Sequence, residues 1–357
     1  MTTTPNGGDA PENLAELFKL DKLEEGMRIS MFGAEIETGT TPKDVVWTRN
    51  KTTLYRYNPI GPIAHRPPVL LVYALINKPY VFDLRPESSF ARHLLEHGFD
   101  VFLLDWGEPG WEDRQTSFDV LVGEHLPKAE ERMLRASRSD DYTLFGYCMG
   151  GTMAAMHAAL RPERVRNLVT LTAPIDFSDA GTFSVWTDRE HLDAEMVAAG
   201  LGNVPGELID LGNKMLRPVT NYVGAQLTMW ERLMGGQDMT GWLAMSKWVN
   251  DGVAFPGRAF AQWIGSFYQE NRLVKGEMTI NDEPVDLSRI AMPLLNIAGE
   301  RDHIVPPGMA RPLNDLVSSV DREFFLLPAG HVGLLVGTGA RKGLWPKVSG
   351  WLEARSG

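Results

Sequence analysis

The sequence predicts an α/β protein, and two observations support this prediction. First, short and nearly continuous apolar runs recur along the chain, as is typical of strands buried on both faces of a sheet. They are PPVLLVYAL (67–75), DVFLLDWG (100–107), YTLFG (142–146), VRNLVTLTAP (165–174), MPLLNIAGERD (292–302) and REFFLLPAGH (322–331). Second, helix-like stretches separate most of these runs, at 88–98, 117–137, 152–160 and 307–317. This alternation predicts a mostly parallel central sheet with helices on both faces.

The segments before the first buried run have different patterns. VVWTRNKTTLYRYNP (45–59) mixes β-branched and aromatic residues with polar ones, which predicts an edge strand or hairpin. Residues 1–12 are polar, and we expect them to be disordered. From Asn13 onward the chain predicts an amphipathic segment, helical at least at its start, whose apolar positions are Leu14, Leu17, Phe18 and Phe32.

The strand–helix alternation stops between residues 175 and 290. This stretch is helical or irregular in pattern and holds five of the ten tryptophans and seven of the sixteen methionines. Two interpretations are open, an inserted cap or a helical layer packed on the sheet, and we favour the cap. The predicted organisation is therefore an α/β core formed by 13–174 and 291–357, with a mainly helical cap at 175–290.

Composition excludes several classes of function. The net charge of −11 argues against nucleic acid as a partner, because phosphates would be repelled. A single cysteine excludes an intramolecular disulfide and any multi-thiolate metal site, and the histidines lack metal-ligand spacing, so we expect no metal. The N-terminus shows no signal pattern, and no apolar run reaches the roughly 18 residues of a membrane helix. We expect a soluble cytoplasmic protein without a transmembrane segment.

The single cysteine lies in GYCMGG (146–151), between a strand-like and a helix-like run. G-x-C-x-G is related to G-x-S-x-G, the nucleophile elbow of the α/β-hydrolase fold. In such a turn the glycines, here Gly146, Gly150 and Gly151, leave room for the crossing backbone, and the helix N-terminus favours a thiolate. The alternative is that Cys148 is a small buried apolar residue. The flanking glycines favour the nucleophile.

An elbow of this kind also predicts an oxyanion hole. The backbone N–H of the residue after the nucleophile, Met149, is one expected donor. The second donor is expected from the loop that follows an earlier strand, where Tyr73, Ala74 and Leu75 lie.

The same logic predicts an acid and then a histidine, each after a late strand. Asp302 follows the run LLNIAGER, and His331 follows the run EFFLLPAG. Taken singly, Asp302 could be a turn residue and His331 an ordinary loop histidine, but the joint match favours a triad with Cys148. His303 is a rival base that we expect near the acid instead, and His157 is expected to be structural.

With these residues in place, the chain resembles the polyhydroxyalkanoate synthases. Seven blocks carry the resemblance and cover most of residues 45–335: PPVLLVYALINKPYVFDL (67–84), FLLDWGEPG (102–110), GYCMGG (146–151), WVNDGVAFPG (248–257), ENRLVKGE (270–277), ERDHIVP (300–306) and PAGHVG (328–333). The resemblance implies an α/β-hydrolase core with a cap and a Cys–Asp–His site, which maps onto Cys148, Asp302 and His331.

The resemblance also implies an activity. Enzymes of this family polymerise (R)-3-hydroxyacyl-CoA, here expected to be 3-hydroxybutyryl-CoA, and release coenzyme A, so no cofactor is expected. The short chain and the segment YALINKPY (73–80) resemble the catalytic subunit of class III synthases, with class IV as the alternative. Synthases of both classes work with a second, non-homologous subunit. We expect a homodimer or larger assembly on the surface of a growing polyester granule.

Two other functions and one mechanistic alternative stay open at this point. A cysteine thioesterase or polyester depolymerase has the same elbow and triad, since a fold does not fix a function. A non-catalytic granule-coat protein on this fold would not need an intact triad. Within the synthase mechanism, Asp302 could orient His331 or help activate the attacking hydroxyl.

Overall fold

The computed structural model describes residues 20–32 and 35–356. The predicted disorder of 1–12, the amphipathic positions before residue 20 and the side chain of Phe32 lie outside the described residues. Within the described ranges, no helix combines the length and the apolar character that crossing a membrane requires.

One large sheet organises the described chain. Its strands, in chain order, are β1 (Lys43–Arg49), β2 (Thr52–Tyr57), β3 (Val69–Val72), β4 (Val101–Asp105), β5 (Tyr142–Tyr147), β6 (Val165–Leu171), β7 (Leu294–Gly299) and β8 (Arg322–Leu327). Two further short pairs, Asp83–Arg85 with Ser88–Ser89 and Thr279–Ile280 with Glu283–Pro284, lie outside this sheet.

The helices fill the connections between strands. The α-helices are α1 (Leu20–Phe32), α2 (Phe90–Glu96), α3 (Phe118–Val120), α4 (Leu126–Ser137), α5 (Met149–Leu160), α6 (Thr182–Trp186), α7 (Ala194–Leu201), α8 (Gly206–Met215), α9 (Ala225–Met234), α10 (Thr240–Asn250), α11 (Gly257–Gln262), α12 (Pro307–Ala310), α13 (Leu313–Leu316), α14 (Gly333–Val336) and α15 (Trp345–Glu353). Short 3₁₀ and π segments join or extend them at Pro79–Phe82, Trp111–Asp113, Leu121–His125, Pro162–Arg164, Val219–Gly224, Trp263–Gln269, Leu287–Arg289 and Ala340–Leu344.

The strand order is β1-β2-β4-β3-β5-β6-β7-β8. β1 and β2 form the predicted antiparallel hairpin at the edge, and every pairing from β4 to β8 is parallel. The strands in the middle, β3, β5 and β7, are buried along their whole length, as their apolar runs predict. Because parallel strands end at the same edge, the loops after β3, β5, β6, β7 and β8 meet there.

Two elements differ from the sequence prediction. The run at 322–331 was expected to be buried on both faces, but β8 is the last strand of the sheet and most of its residues are partly or fully exposed. At the edge of the sheet, fewer neighbouring residues shield the two faces of a strand from solvent. The expectation of full burial was therefore wrong. The helix-like stretch 307–317 is two short helices, α12 and α13, divided at Pro312, whose missing N–H interrupts the helical hydrogen bonds.

The region 175–290 is mainly helical, from α6 to α11, with one short strand pair near its end. Helix α1 packs against α9 of this region: a Cβ on Gly26 would lie 2.3 Å from the ring of Trp230. The first described helix, which we had expected to belong to the core, therefore contacts the predicted cap. The division into core and cap stays a prediction.

Candidate active site

Cys148 occupies a strained turn between β5 and α5. Its backbone angles are φ 57° and ψ −131°, a region that residues with a side chain rarely adopt. Such a conformation costs about 1–3 kcal/mol and persists only where the surroundings hold it. Here the Cys148 N–H donates to the carbonyl of Leu171 at 2.9 Å. The strand-to-helix geometry expected of a nucleophile elbow is present.

The glycines around Cys148 are required by close backbone contact. A Cβ on Gly150 would lie 2.5 Å from the carbonyl oxygen of Val72, and one on Gly146 would lie 2.5 Å from the Cα of Gly151. Real Cβ atoms do not approach other atoms this closely. The glycines therefore let α5 begin directly beside the ends of β3 and β5, as the sequence predicts.

That contact brings the two predicted sources of oxyanion donors together. Met149 is the first residue of α5, so its N–H has no acceptor within the helix. Tyr73, Ala74 and Leu75 follow β3 and are all buried. Trp106 donates its indole N–H to the carbonyl of Tyr73 at 2.9 Å and so fixes the start of this loop. The oxyanion hole itself stays a prediction.

The structure pairs Asp302 with His331, two of the three residues of the predicted triad. His331 Nδ1 lies 2.7 Å from Asp302 Oδ2, and both side chains are buried. Burial alone would lower the pKa of His331, but the charges of Asp302 and Cys148, with hydrogen bonds to both, raise it to about 10. Because Nδ1 faces Asp302, Nε2 is the ring nitrogen of His331 that is left to serve Cys148. The charge of Cys148 acts on His331, so the three predicted residues lie at one site.

The carboxylate has further partners. Thr172 Oγ1 donates to Asp302 Oδ2 at 2.5 Å, and the N–H groups of Ile304 and Val305 donate to Oδ1, each at 2.9 Å. Burial would raise the pKa of Asp302, but the charge of His331 and these hydrogen bonds lower it overall. Sequence reasoning missed Thr172, because only its position after a strand, in the same edge of the sheet, hinted at the site.

His303 and His157 lie outside this pairing. His303 follows Asp302 in sequence, but the Asp302 carboxylate is hydrogen-bonded to His331 instead. Burial, together with the positive charge of Arg217, lowers the pKa of His303. His157 is fully buried on α5, where its Nε2 lies 2.8 Å from Glu130 Oε2. Among the described residues, no group of three or more His, Cys, Asp or Glu side chains could hold a metal ion.

Cys148 opens into an apolar cavity of about 210 Å³ between the sheet edge and the region 175–290. Its lining includes Met149 and, from that region, the aromatic side chains Phe183, Trp186, Phe255, Phe260, Trp263 and Tyr268. Trp248, a tryptophan of the same region, does not line this cavity: it is buried and donates its indole N–H to the carbonyl of Lys78 at 2.8 Å.

The fold and the turn at Cys148 define an α/β-hydrolase. Residues 67–338 match the family described as "alpha/beta hydrolase fold", so the chain belongs to that family. A monoacylglycerol lipase of Paleococcus ferrophilus superposes with a TM-score of 0.55 at 19% identity, over 85% of this chain and 99% of the lipase. A soluble variant of the Saccharomyces cerevisiae monoglyceride lipase gives 0.56 at 14% identity, over 92% and 99%. These similarities confirm the predicted fold.

Comparison with sequence relatives identifies a narrower family within that fold. Residues 24–94 match the family described as "Poly-beta-hydroxybutyrate polymerase (PhaC) N-terminus". The poly(3-hydroxyalkanoate) polymerase subunit PhaC of Allochromatium vinosum is 36% identical over 337 residues, which cover 94% of each chain. The same subunit of Haloferax mediterranei is 39% identical over 324 residues, covering 90% of this chain and 66% of the relative. The chain belongs to the family of PhaC polymerase subunits, and the predicted family and acyltransferase class are confirmed.

Proposed function

We propose that this protein polymerises (R)-3-hydroxyacyl-CoA into polyhydroxyalkanoate through an acyl group carried on Cys148. The observation that carries the proposal is that Cys148 lines an apolar cavity and acts electrostatically on His331, which is paired with Asp302, in a chain of the PhaC family. Neither the triad's role nor the substrate follows from the family alone, and both are parts of the proposal.

In the loading step, His331 Nε2 accepts the thiol proton while the Cys148 sulfur attacks the thioester carbonyl. The N–H of Met149 and one from the loop Tyr73–Leu75 stabilise the oxyanion of the tetrahedral intermediate. The bond between the acyl carbon and the coenzyme A sulfur then breaks, and the leaving thiolate takes the proton from His331. The raised pKa of His331 suits it to hold that proton between the two sulfurs.

In the transfer step, a hydroxyl of a second monomer or of the growing chain attacks the acyl-cysteine. His331 accepts the hydroxyl proton and returns it to the Cys148 sulfur as the ester forms. Loading exchanges one thioester for another, so it is nearly isoenergetic. The conversion of a thioester into an oxygen ester then drives transfer forward. A serine nucleophile would lose this drive at loading.

The apolar cavity fits the need to exclude water from the acyl-cysteine, because water would hydrolyse the same intermediate. Its volume of about 210 Å³ suits a short hydroxyacyl group, and we propose 3-hydroxybutyryl-CoA as the monomer. By analogy with the relatives, which are named as subunits, we also propose a companion subunit of a different kind and work at the granule surface.

The main competing function is a thioesterase or depolymerase of the same fold, and product analysis separates the two. The purified full chain is incubated with (R)-3-hydroxybutyryl-CoA, with and without a companion subunit, beside Cys148→Ala. Coenzyme A release and sedimentable polyester are measured together. The proposal expects both in the wild type and neither in Cys148→Ala. Coenzyme A release with free hydroxy acid as the only product would instead establish a thioesterase.

A further inference from the structure

Thr172, the residue directly after β6, has an unusual backbone. Its φ is 45°, in the left-handed region that β-branched residues avoid. Glycine or asparagine would adopt this conformation more easily. Strained residues of this kind cluster at active sites, where neighbouring structure holds them in place. A threonine in this conformation therefore indicates that its side chain has a specific role.

The neighbours of Thr172 hold both its backbone and its hydroxyl. Its N–H donates to the carbonyl of Ile297 on the adjacent strand β7 at 2.6 Å, and its side chain is fully buried. Its Oγ1 donates to Asp302 Oδ2 at 2.5 Å, across 130 positions of sequence. Glycine cannot make this hydrogen bond, so the strained backbone and the contact with the acid are linked.

The hydroxyl completes the set of donors around the carboxylate. A carboxylate offers about four acceptor positions. Oδ2 accepts from His331 Nδ1 and from Thr172, and Oδ1 accepts from the N–H groups of Ile304 and Val305. Asp302 thus has no acceptor position left for an incoming hydroxyl unless one of these hydrogen bonds breaks.

We propose that Thr172 is a positioning residue that locks Asp302 into orienting His331, which leaves His331 as the base in both halves of the reaction. This inference rests on the proposed function and decides between the two roles that the sequence leaves open for Asp302. Thr172 acts through Asp302 and does not contact the substrate. The titratable groups that face Asp302 are His331, Tyr147 and His303.

The substitution Thr172→Val tests the proposal, because it removes the hydroxyl and keeps the shape. Thr172→Ser keeps the hydroxyl. Thr170→Val is the matched control: Thr170 is also fully buried on β6, and its Oγ1 donates to Asn296 Oδ1 at 2.9 Å, so this variant loses a similar hydrogen bond away from Asp302. Thermal unfolding of each variant shows whether the fold is intact.

Two readouts are used with the full chain. The first is the rate of Cys148 alkylation by iodoacetamide between pH 5 and 10, which needs no substrate and is specific because the chain has one cysteine. The second is coenzyme A release in the first turnover of (R)-3-hydroxybutyryl-CoA. The Thr172 hydroxyl helps keep the pKa of Asp302 low, so in Thr172→Val the acid limb of both profiles should move to higher pH.

At pH 7 we expect first-turnover release in Thr172→Val to fall about ten-fold, as expected for the loss of a hydrogen bond to a charged group. Thr172→Ser and Thr170→Val should keep the wild-type profile. Profiles of Thr172→Val that match the wild type would overturn the proposal, as would equal losses in Thr170→Val. If Thr172→Val does not fold, Thr172→Ala against Thr172→Ser gives the same contrast. A wild type that is alkylated normally but releases no coenzyme A would contradict the proposed function, while the alkylation profiles still decide the role of Thr172.

Discussion

The hydroxyl of Tyr147 donates to the backbone carbonyl of His331 at 3.0 Å, and the two rings stack with centroids 5.5 Å apart. Tyr147 is the last residue of β5 and immediately precedes Cys148. One buried side chain therefore ties the strand that carries the nucleophile to the loop that carries the base. We therefore expect this link to help fix the position of His331 relative to Cys148.

Tyr147→Phe should lower the rate of coenzyme A release while the protein stays folded. The ring stays, but the His331 carbonyl loses its donor, and a buried unpaired polar group costs about 1–3 kcal/mol. We expect coenzyme A release to fall about ten-fold as the His331 loop loosens. Tyr142→Phe is the control, because Tyr142 lies on the same strand, is equally buried and donates to Glu130 instead. Equal activity losses in the two variants would count against the link.

Gly150→Ala should destabilise the protein strongly, since its Cβ would lie 2.5 Å from the carbonyl oxygen of Val72. Overpacking of this kind costs about 1–3 kcal/mol or more. Gly350→Ala is the matched control: Gly350 lies in α15, where an added Cβ would meet nothing within 4 Å beyond its neighbours and the backbone of its own helix, and alanine should raise helix stability by about 0.5–1 kcal/mol. Urea unfolding measures both variants. A Gly150→Ala protein as stable as the wild type would contradict the close contact.

The pairing of His331 with Asp302 predicts a pH-dependent stability. The pKa of His331 is raised to about 10 in the folded protein, against about 6.5 in an unfolded chain. Its contribution is therefore fully present below about pH 6.5 and is lost as the pH rises toward about 10. The difference in unfolding temperature between the wild type and His331→Gln should shrink over that range. Parallel curves for the two proteins would show that the pairing adds no stability.

The lowered pKa of Asp302 predicts the opposite limb. Its contribution should be present above the unfolded value of about 3.9 and be lost as the pH falls through its folded pKa. Unfolding temperatures of the wild type and Asp302→Asn, compared from pH 6 down to pH 2, should differ by a constant amount above about pH 4 and converge below it. A difference that stays constant below about pH 4 would contradict a stabilising carboxylate.

Opening the cavity should raise hydrolysis relative to polymerisation. Trp186 lines the cavity and is 37% exposed, so Trp186→Ala should admit water without removing a fully buried side chain. We expect a larger share of free 3-hydroxybutyrate among the products, measured by chromatography. Trp111→Ala is the control, because Trp111 is 64% exposed and lies outside the cavity lining. An unchanged product ratio in Trp186→Ala would contradict the proposal that the cavity lining keeps water away from the acyl-cysteine.

Much of the site was predictable because its residues follow strands. The places of Cys148, Asp302 and His331 after β5, β7 and β8 are local features, and parallel strands bring their ends together. Thr172 was missed because its contact with Asp302 spans 130 positions and depends on the neighbouring strand. The orientation of Trp248 was equally unpredictable, since a tryptophan in a helical region can face the cavity or the core.

Features of the fold divide in the same way. The edge hairpin was predictable from mixed polar and apolar residues, whereas the exposure of β8 depends on strand order, which its apolar run does not encode. Pro312 did carry a local signal for the break between α12 and α13. The packing of α1 on α9 was not predictable, because apolar spacing indicates a helix but not the element against which that helix packs.

The central claim is that Cys148 carries the acyl group. The most direct measurement is mass spectrometry of the full chain after mixing with butyryl-CoA, which can load the enzyme but has no hydroxyl to extend the chain. Peptide mapping then locates the adduct, with Cys148→Ala and His331→Gln beside the wild type. We predict a hydroxylamine-sensitive butyryl adduct on Cys148 that is absent in Cys148→Ala and forms slowly in His331→Gln. Coenzyme A release with the adduct on another residue would contradict it.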